Sequence, residues 1–164
     1  MTRRALALAL LIAVAAVAEA APTSPGFRIT TLDGKRTIDS NELIGKKIIV
    51  LRFQASYCKP CARESAALNR VTDRYRDRDV EVVAIHVQDT ATDVRKFMRA
   101  NKATYPVALD PRLTIGNRFG FKGTPYTVVI DRKGEMVERL AGEGAVRRLP
   151  QMLDALLAKD PPAS

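Results

Sequence analysis

The sequence predicts an α/β domain, a central mixed β-sheet flanked by helices, with a β-hairpin extension at its N-terminal side. Three observations predict it. Ile48-Ile49-Val50-Leu51 and Val80 to Val87 are apolar on successive residues, as strands buried on both faces are. Between them Leu68, Val71 and Tyr75 recur at helical spacing, so strand and helix alternate. Tyr126 to Ile130 and Glu135 to Leu140, joined by Asp131-Arg132-Lys133-Gly134, read as an antiparallel hairpin, which makes the sheet mixed.

Residues 1–20 read as a cleavable signal peptide outside the fold. Arg3 and Arg4 precede an apolar stretch from Ala5 to Ala18, and Ala18-Glu19-Ala20 has the small-x-small pattern of a cleavage site. That stretch is about 14 residues, short of the roughly 20 that span a bilayer, so cleavage after Ala20 is favoured over an uncleaved anchor. The processed protein, residues 21–164, is then one domain that does not span a membrane. Processing removes two arginines and one glutamate, which lowers the charge only from +9 to +8.

After a flexible lead through Gly26, Phe27-Arg28-Ile29-Thr30 and Lys35-Arg36-Thr37-Ile38 flank Leu32-Asp33-Gly34, an Asp-Gly hairpin turn. Asp39 caps a helical turn through Leu43, and the strand at Ile48 follows Gly45-Lys46-Lys47. A helix runs from Cys61 to about Arg76, and Thr92 caps another through Met98. Pro106 to Leu109 is a short strand. Asp110-Pro111 supplies a cap and a first helical proline, with Gly120 as the stop. A closing amphipathic helix carries Leu149, Met152, Leu153, Leu156 and Leu157 on one face, and Pro150 marks a start or kink in it.

A chain of 164 residues suits one compact unit with a core that needs no disulfide staples. Its 46% hydrophobic and 27% charged residues exclude a disordered or fibrous protein. The net charge of +9 raises nucleic acid as a partner, but the pattern argues against it. Basic residues are interleaved with acids, as in Arg74-Tyr75-Arg76-Asp77-Arg78-Asp79, and aromatics are only 5% of the chain. This is a solvated surface.

Both cysteines, Cys58 and Cys61, lie between the first buried strand and the first long helix. An exported pair in an oxidising compartment is a structural staple or a redox couple. A staple closing so small a loop removes little unfolded-state entropy, so the couple is the better reading. At a helix N-terminus unpaired N–H groups favour an anion, which makes Cys58 the nucleophile. Cys61, one turn later, resolves the mixed disulfide, and Pro60 keeps the turn rigid. A zinc site would need two further ligands, and the chain holds one histidine and no third cysteine, so neither metal nor other cofactor is expected. His86 reads as a packed strand residue.

Strand, C-x-x-C helix, strand, helix, then Gly123-Thr124-Pro125 before a hairpin and a final helix resembles the thioredoxin fold. Phe53-Gln54-Ala55-Ser56-Tyr57-Cys58-Lys59-Pro60-Cys61, Thr31-Leu32-Asp33-Gly34-Lys35 and Gly-Thr-Pro narrow the resemblance to exported TlpA/ResA-type thiol-disulfide oxidoreductases, over roughly residues 27–158. It implies a cis Pro125 facing the sulfurs and a Thr124 backbone that pairs with an extended substrate. It also implies protein disulfide substrates such as apocytochrome c, kept reduced with electrons from a membrane thiol transporter. A thiol peroxidase, a copper-binding domain and an interaction domain with a vestigial pair stand as alternatives.

Three residues depart from that pattern. Tyr57 replaces the usual Trp, either as an aromatic lip for substrate contact or as a simple cover over the disulfide. Arg52 stands six before Cys58, where thioredoxins carry a buried Asp and TlpA/ResA-type proteins often an Asn, and Lys59 stands where some carry an acid. A buried Arg needs a carboxylate, a carbonyl or solvent, and both cations are expected to favour the thiolate.

Overall fold

A computed structural model of the chain describes residues 21–159. The expected signal peptide lies outside the described residues, as does the end at Asp160-Pro161-Pro162. The hairpin forms as β1 (Arg28–Thr30) and β2 (Thr37–Asp39), followed by α1 (Ser40–Leu43), whose cap is Asp39. Then come β3 (Ile48–Gln54), α2 (Lys59–Tyr75), β4 (Val80–Val87), α3 (Ala91–Ala100), β5 (Val107–Asp110) and α4 (Thr114–Arg118). The hairpin β6 (Tyr126–Ile130) and β7 (Met136–Ala141) and the helix α5 (Ala145–Lys159) complete it.

The main sheet has the order β5-β4-β3-β6-β7, with β5, β4 and β3 parallel and β6 and β7 antiparallel. Alternation along β3 sends Ile49, Leu51 and Phe53 to one face, where they pack with Phe27, Ile29 and Ile38 of the hairpin region and with Phe119. Ile48 and Val50 face the other side and pack with Leu68, Val71 and Tyr75 of α2 and Val146, Leu149 and Leu153 of α5. Burial of these apolar faces is the main driving force for the fold. Among the described residues no helix is long and apolar enough to cross a membrane.

Several local expectations need correction. The lead before Phe27 is tied down: Ser24 N–H donates to Gly134 O at 2.8 Å and Met136 N–H to Pro22 O at 2.8 Å, so it covers part of the β6–β7 hairpin. The cap of α3 is Thr90, not Thr92; its hydroxyl oxygen accepts from Asp93 N–H while the hydroxyl proton goes to the Asp93 carboxylate. Asp110 does cap α4, but from a distance. Its carboxylate accepts from Ile115 and Gly116 N–H, so the helix starts at Thr114 and Pro111 belongs to the preceding turn. Of the two roles expected for Pro150, the helix start is ruled out, since it lies inside α5, which begins five residues earlier at Ala145.

Candidate functional site

The end of β3 delivers the chain to the dithiol. β3 runs past Leu51 to Gln54, three residues beyond the apolar run, and all of it is buried. Cys58 is the N-cap of α2, and Cys61 follows in its first turn, with Pro60 between them. Proline is tolerated there because its missing N–H would have had no intrahelical acceptor. The two sulfurs are joined as a disulfide, and Cys61 N–H donates to Cys58 Sγ at 3.2 Å. The sulfur that caps the helix therefore sits at the positive end of its dipole.

A groove of about 380 Å³ opens beside Cys58, lined by Tyr57, Lys59 and Ala62 on one side and by Lys96, Phe97 and Asn101 at α3 on the other. Tyr57 is 66% exposed, a large apolar side chain held in solvent next to the disulfide. Pro125 precedes β6, and the Thr124-Pro125 peptide is cis. Since Tyr126 pairs with Phe53, the register sets Pro125 level with Gln54, at the end of the two central strands from which the chain leaves for the dithiol.

Beneath the first turns of α2 the sheet is polar. Arg52 and Gln54 share the face of Ile48 and Val50, and each meets a polar partner across the strands: Arg52 stands opposite Thr127, Gln54 opposite His86. Arg52, 1% exposed, donates to Thr127 Oγ1 at 2.8 Å and forms an ion pair with Glu64. Glu64 also accepts from Gly144 N–H at 2.7 Å. Burial pulls the Arg52 pKa down and the Glu64 carboxylate works against that pull, so the guanidinium keeps its charge. Of the outcomes expected for Arg52, the carboxylate is the one found.

On the other side of β3, the Gln54 amide lies 2.8 Å from His86 Nε2 and donates to Tyr105 Oη at 3.3 Å. Tyr105 in turn meets Ser65 Oγ of α2 at 2.9 Å. His86 Nδ1 lies 2.7 Å from Asp89, whose carboxylate accepts from Ser56. Burial holds His86 below the usual imidazole range although Asp89 pulls the other way. His86 is a packed strand residue, as expected, with both ring nitrogens engaged.

Sequence reasoning missed Glu64, Ser65, Gln54, Tyr105 and Asp89 as surroundings of the dithiol. A signal existed for the first two. They follow Cys61 by three and four residues, on the helical stripe that continues to Leu68, so a carboxylate and a hydroxyl stand where apolar residues are expected.

The sequence pattern of the AhpC/TSA family matches residues 17–139. A thiol-disulfide oxidoreductase ResA of Bacillus cereus is 30% identical over 133 residues, covering 81% of this chain and 76% of the relative. That of Bacillus anthracis is 32% identical over 126 residues, covering 77% and 72%. Among solved structures, a candidate thiol:disulfide interchange protein DsbE from Chlorobium tepidum is similar at 26% identity and a TM-score of 0.75, over 85% of this chain and 98% of that one.

Proposed function

Because the chain belongs to the AhpC/TSA family and is a thiol-disulfide oxidoreductase of ResA/DsbE type, we propose that it is an exported reductant of protein disulfides that works through Cys58 and Cys61. One observation carries this reading. The sulfurs are bonded across the first turn of a helix whose dipole and free N–H groups favour the thiolate of Cys58.

In the reduced protein the Cys58 thiolate attacks one sulfur of a partner disulfide. A mixed disulfide forms, and the partner's other sulfur leaves as a thiolate. Cys61 gives up its proton and attacks Cys58 Sγ, closing the Cys58–Cys61 disulfide and expelling the first partner sulfur. Two electrons have then passed to the partner, and two protons restore its thiols. Tyr57 and the Thr124-Pro125 backbone hold the partner segment. Pro60 and Lys59 tune the pair from within the motif, and Arg52 does so through Glu64. Reduction of the disulfide by a membrane thiol-transfer partner completes the cycle, and apocytochrome c is the proposed class of client. Residues 1–20 direct export to the periplasm, and cleavage after Ala20 releases the domain of residues 21–164.

The test is insulin reduction in the presence of a dithiol. We expect turnover by the wild type, none by Cys58→Ala, and a trapped mixed disulfide with Cys61→Ala. The Cys58–Cys61 reduction potential should fall near thioredoxin's, about −270 mV; a value near DsbA's, about −120 mV, would overturn the assignment as a reductant. Peroxide turnover that outpaces insulin reduction would favour the peroxidase reading, and stoichiometric Cu(I) binding by the reduced protein the copper-binding one.

A further inference from the structure

Asp89 lies outside the dithiol motif, between β4 and α3, and is buried. Three donors converge on its two oxygens. Ser56 N–H donates to Oδ2 at 2.7 Å, the Ser56 hydroxyl to Oδ1 at 2.7 Å, and His86 Nδ1–H to Oδ2 at 2.7 Å. An oxygen pair that only accepts is a carboxylate, since a protonated carboxyl would have to place its own proton. His86 is prepared for this role by Gln54. The amide Nε2 can only donate, so His86 Nε2 at 2.8 Å is the acceptor and the ring proton sits on Nδ1, aimed at Asp89. The imidazole is neutral and fully buried, so the charge of Asp89 is not cancelled by it.

Ser56 stands two residues before Cys58, and Cys58 N–H is held by Ala55 O at 3.1 Å. Asp89 therefore grips the loop through both hydrogen-bond donors of Ser56, the residue that leads into the dithiol. We propose that Asp89, oriented by neutral His86, is a positioning residue for the thiol chemistry: it fixes the 55–58 loop, and its charge opposes ionisation of Cys58, offsetting part of the helix dipole. The inference rests on the reading of Cys58 as the nucleophile. Lys59, Asp93 and Lys96 line the groove at Cys58, and Arg52 and Glu64 form their own pair under α2. These groups are unchanged in the variants below, so their fields are common to every comparison.

The experiment measures the pH dependence of alkylation of Cys58 by iodoacetamide in the processed protein. The protein is reduced with dithiothreitol and freed of it, and insulin reduction is followed in parallel. Asp89→Asn removes the charge and keeps the shape, so the Cys58 pKa should fall by about 0.5 to 1 unit and the reduction potential should rise. Ser56→Ala leaves the carboxylate without its hydroxyl donor, so its charge acts more strongly and the Cys58 pKa should rise. Ser56→Thr keeps both bonds and should titrate like the wild type. A merely structural clamp would shift Asp89→Asn and Ser56→Ala in the same direction. That result, or an unmoved profile in folded Asp89→Asn, overturns the proposal. Should Asp89→Asn fail to fold, a wild-type profile for Ser56→Ala overturns it instead. A wild type that alkylates at Cys58 but reduces no insulin would sink the oxidoreductant role and leave the Asp89 comparison readable.

Discussion

Two polar groups of side chains sit beneath the same helix, on either side of β3, and they solve burial in opposite ways. On the β6 side Arg52 keeps its charge and recruits Glu64, with Thr127 and the Gly144 N–H completing the set. On the β4 side His86 gives its charge up and joins a chain from Asp89 through Gln54 to Tyr105 and Ser65. The difference follows from intrinsic basicity. A guanidinium is too strong a base to shed its proton near neutral pH even when burial pulls its pKa down, so it must be given a counterion. An imidazole, at 6.5, is neutralised by burial at little cost. The Arg52–Glu64 ion pair should thus fail abruptly when one partner is lost, and the chain from Gln54 to Ser65, whose members beyond Asp89 are all neutral, by degrees.

The largest expected effect breaks the ionic side. Glu64→Ala leaves Arg52 buried without its counterion and should cost about 3 to 5 kcal/mol in denaturant unfolding of the oxidised protein. Replacing both partners by apolar residues of similar size, as in Arg52→Met with Glu64→Leu, should recover most of that loss, because no unpaired charge remains. A double variant as unstable as Glu64→Ala would show that packing, not charge, is at stake.

On the β4 side Tyr105→Phe removes one hydroxyl and leaves the Gln54 amide and the Ser65 hydroxyl each short of a partner, a loss of about 1 to 3 kcal/mol by the same measurement. His86 predicts a pH dependence. Its folded pKa is depressed, so below the unfolded value of about 6.5 the unfolded state binds more protons and stability falls as pH falls. The slope cannot exceed about 1.4 kcal/mol per pH unit for one group, and His86→Gln should remove it from the acid limb. An acid limb unchanged in that variant would assign the slope elsewhere. The smallest effect belongs to a surface pair: Arg63 and Glu143 are bonded at 2.8 Å but exposed, and Arg63→Ala should leave the melting temperature unchanged.

Much of this could be read from the chain. The β4 boundaries, the helix that begins at the cysteines and the antiparallel β6–β7 hairpin follow from periods of one face, two faces or a helical turn, and such periods are local. Boundaries set by a side chain reaching over several residues were not legible: Asp110 acts on Ile115 and Gly116, and Thr90 rather than Thr92 finds the free N–H of Asp93. β3 also outran its apolar signature. Arg52 and Gln54 look like the end of a strand until Thr127, Glu64 and His86 are known to wait for them.

Composition, hydrophobic period and the C-x-x-C placement were enough to determine the fold class, the helix that carries the dithiol and the type of chemistry. These depend on neighbours within a few residues, where the chain's own geometry decides. Which polar groups surround the sulfurs was decided only by tertiary structure. Glu64 is 12 residues from Arg52 and Thr127 is 75; His86 is 32 from Gln54, and Asp89 is 33 from Ser56. Nothing near any of them in the chain names its partner; the sheet brings the two together in a dry interior, where an unpaired polar group is costly.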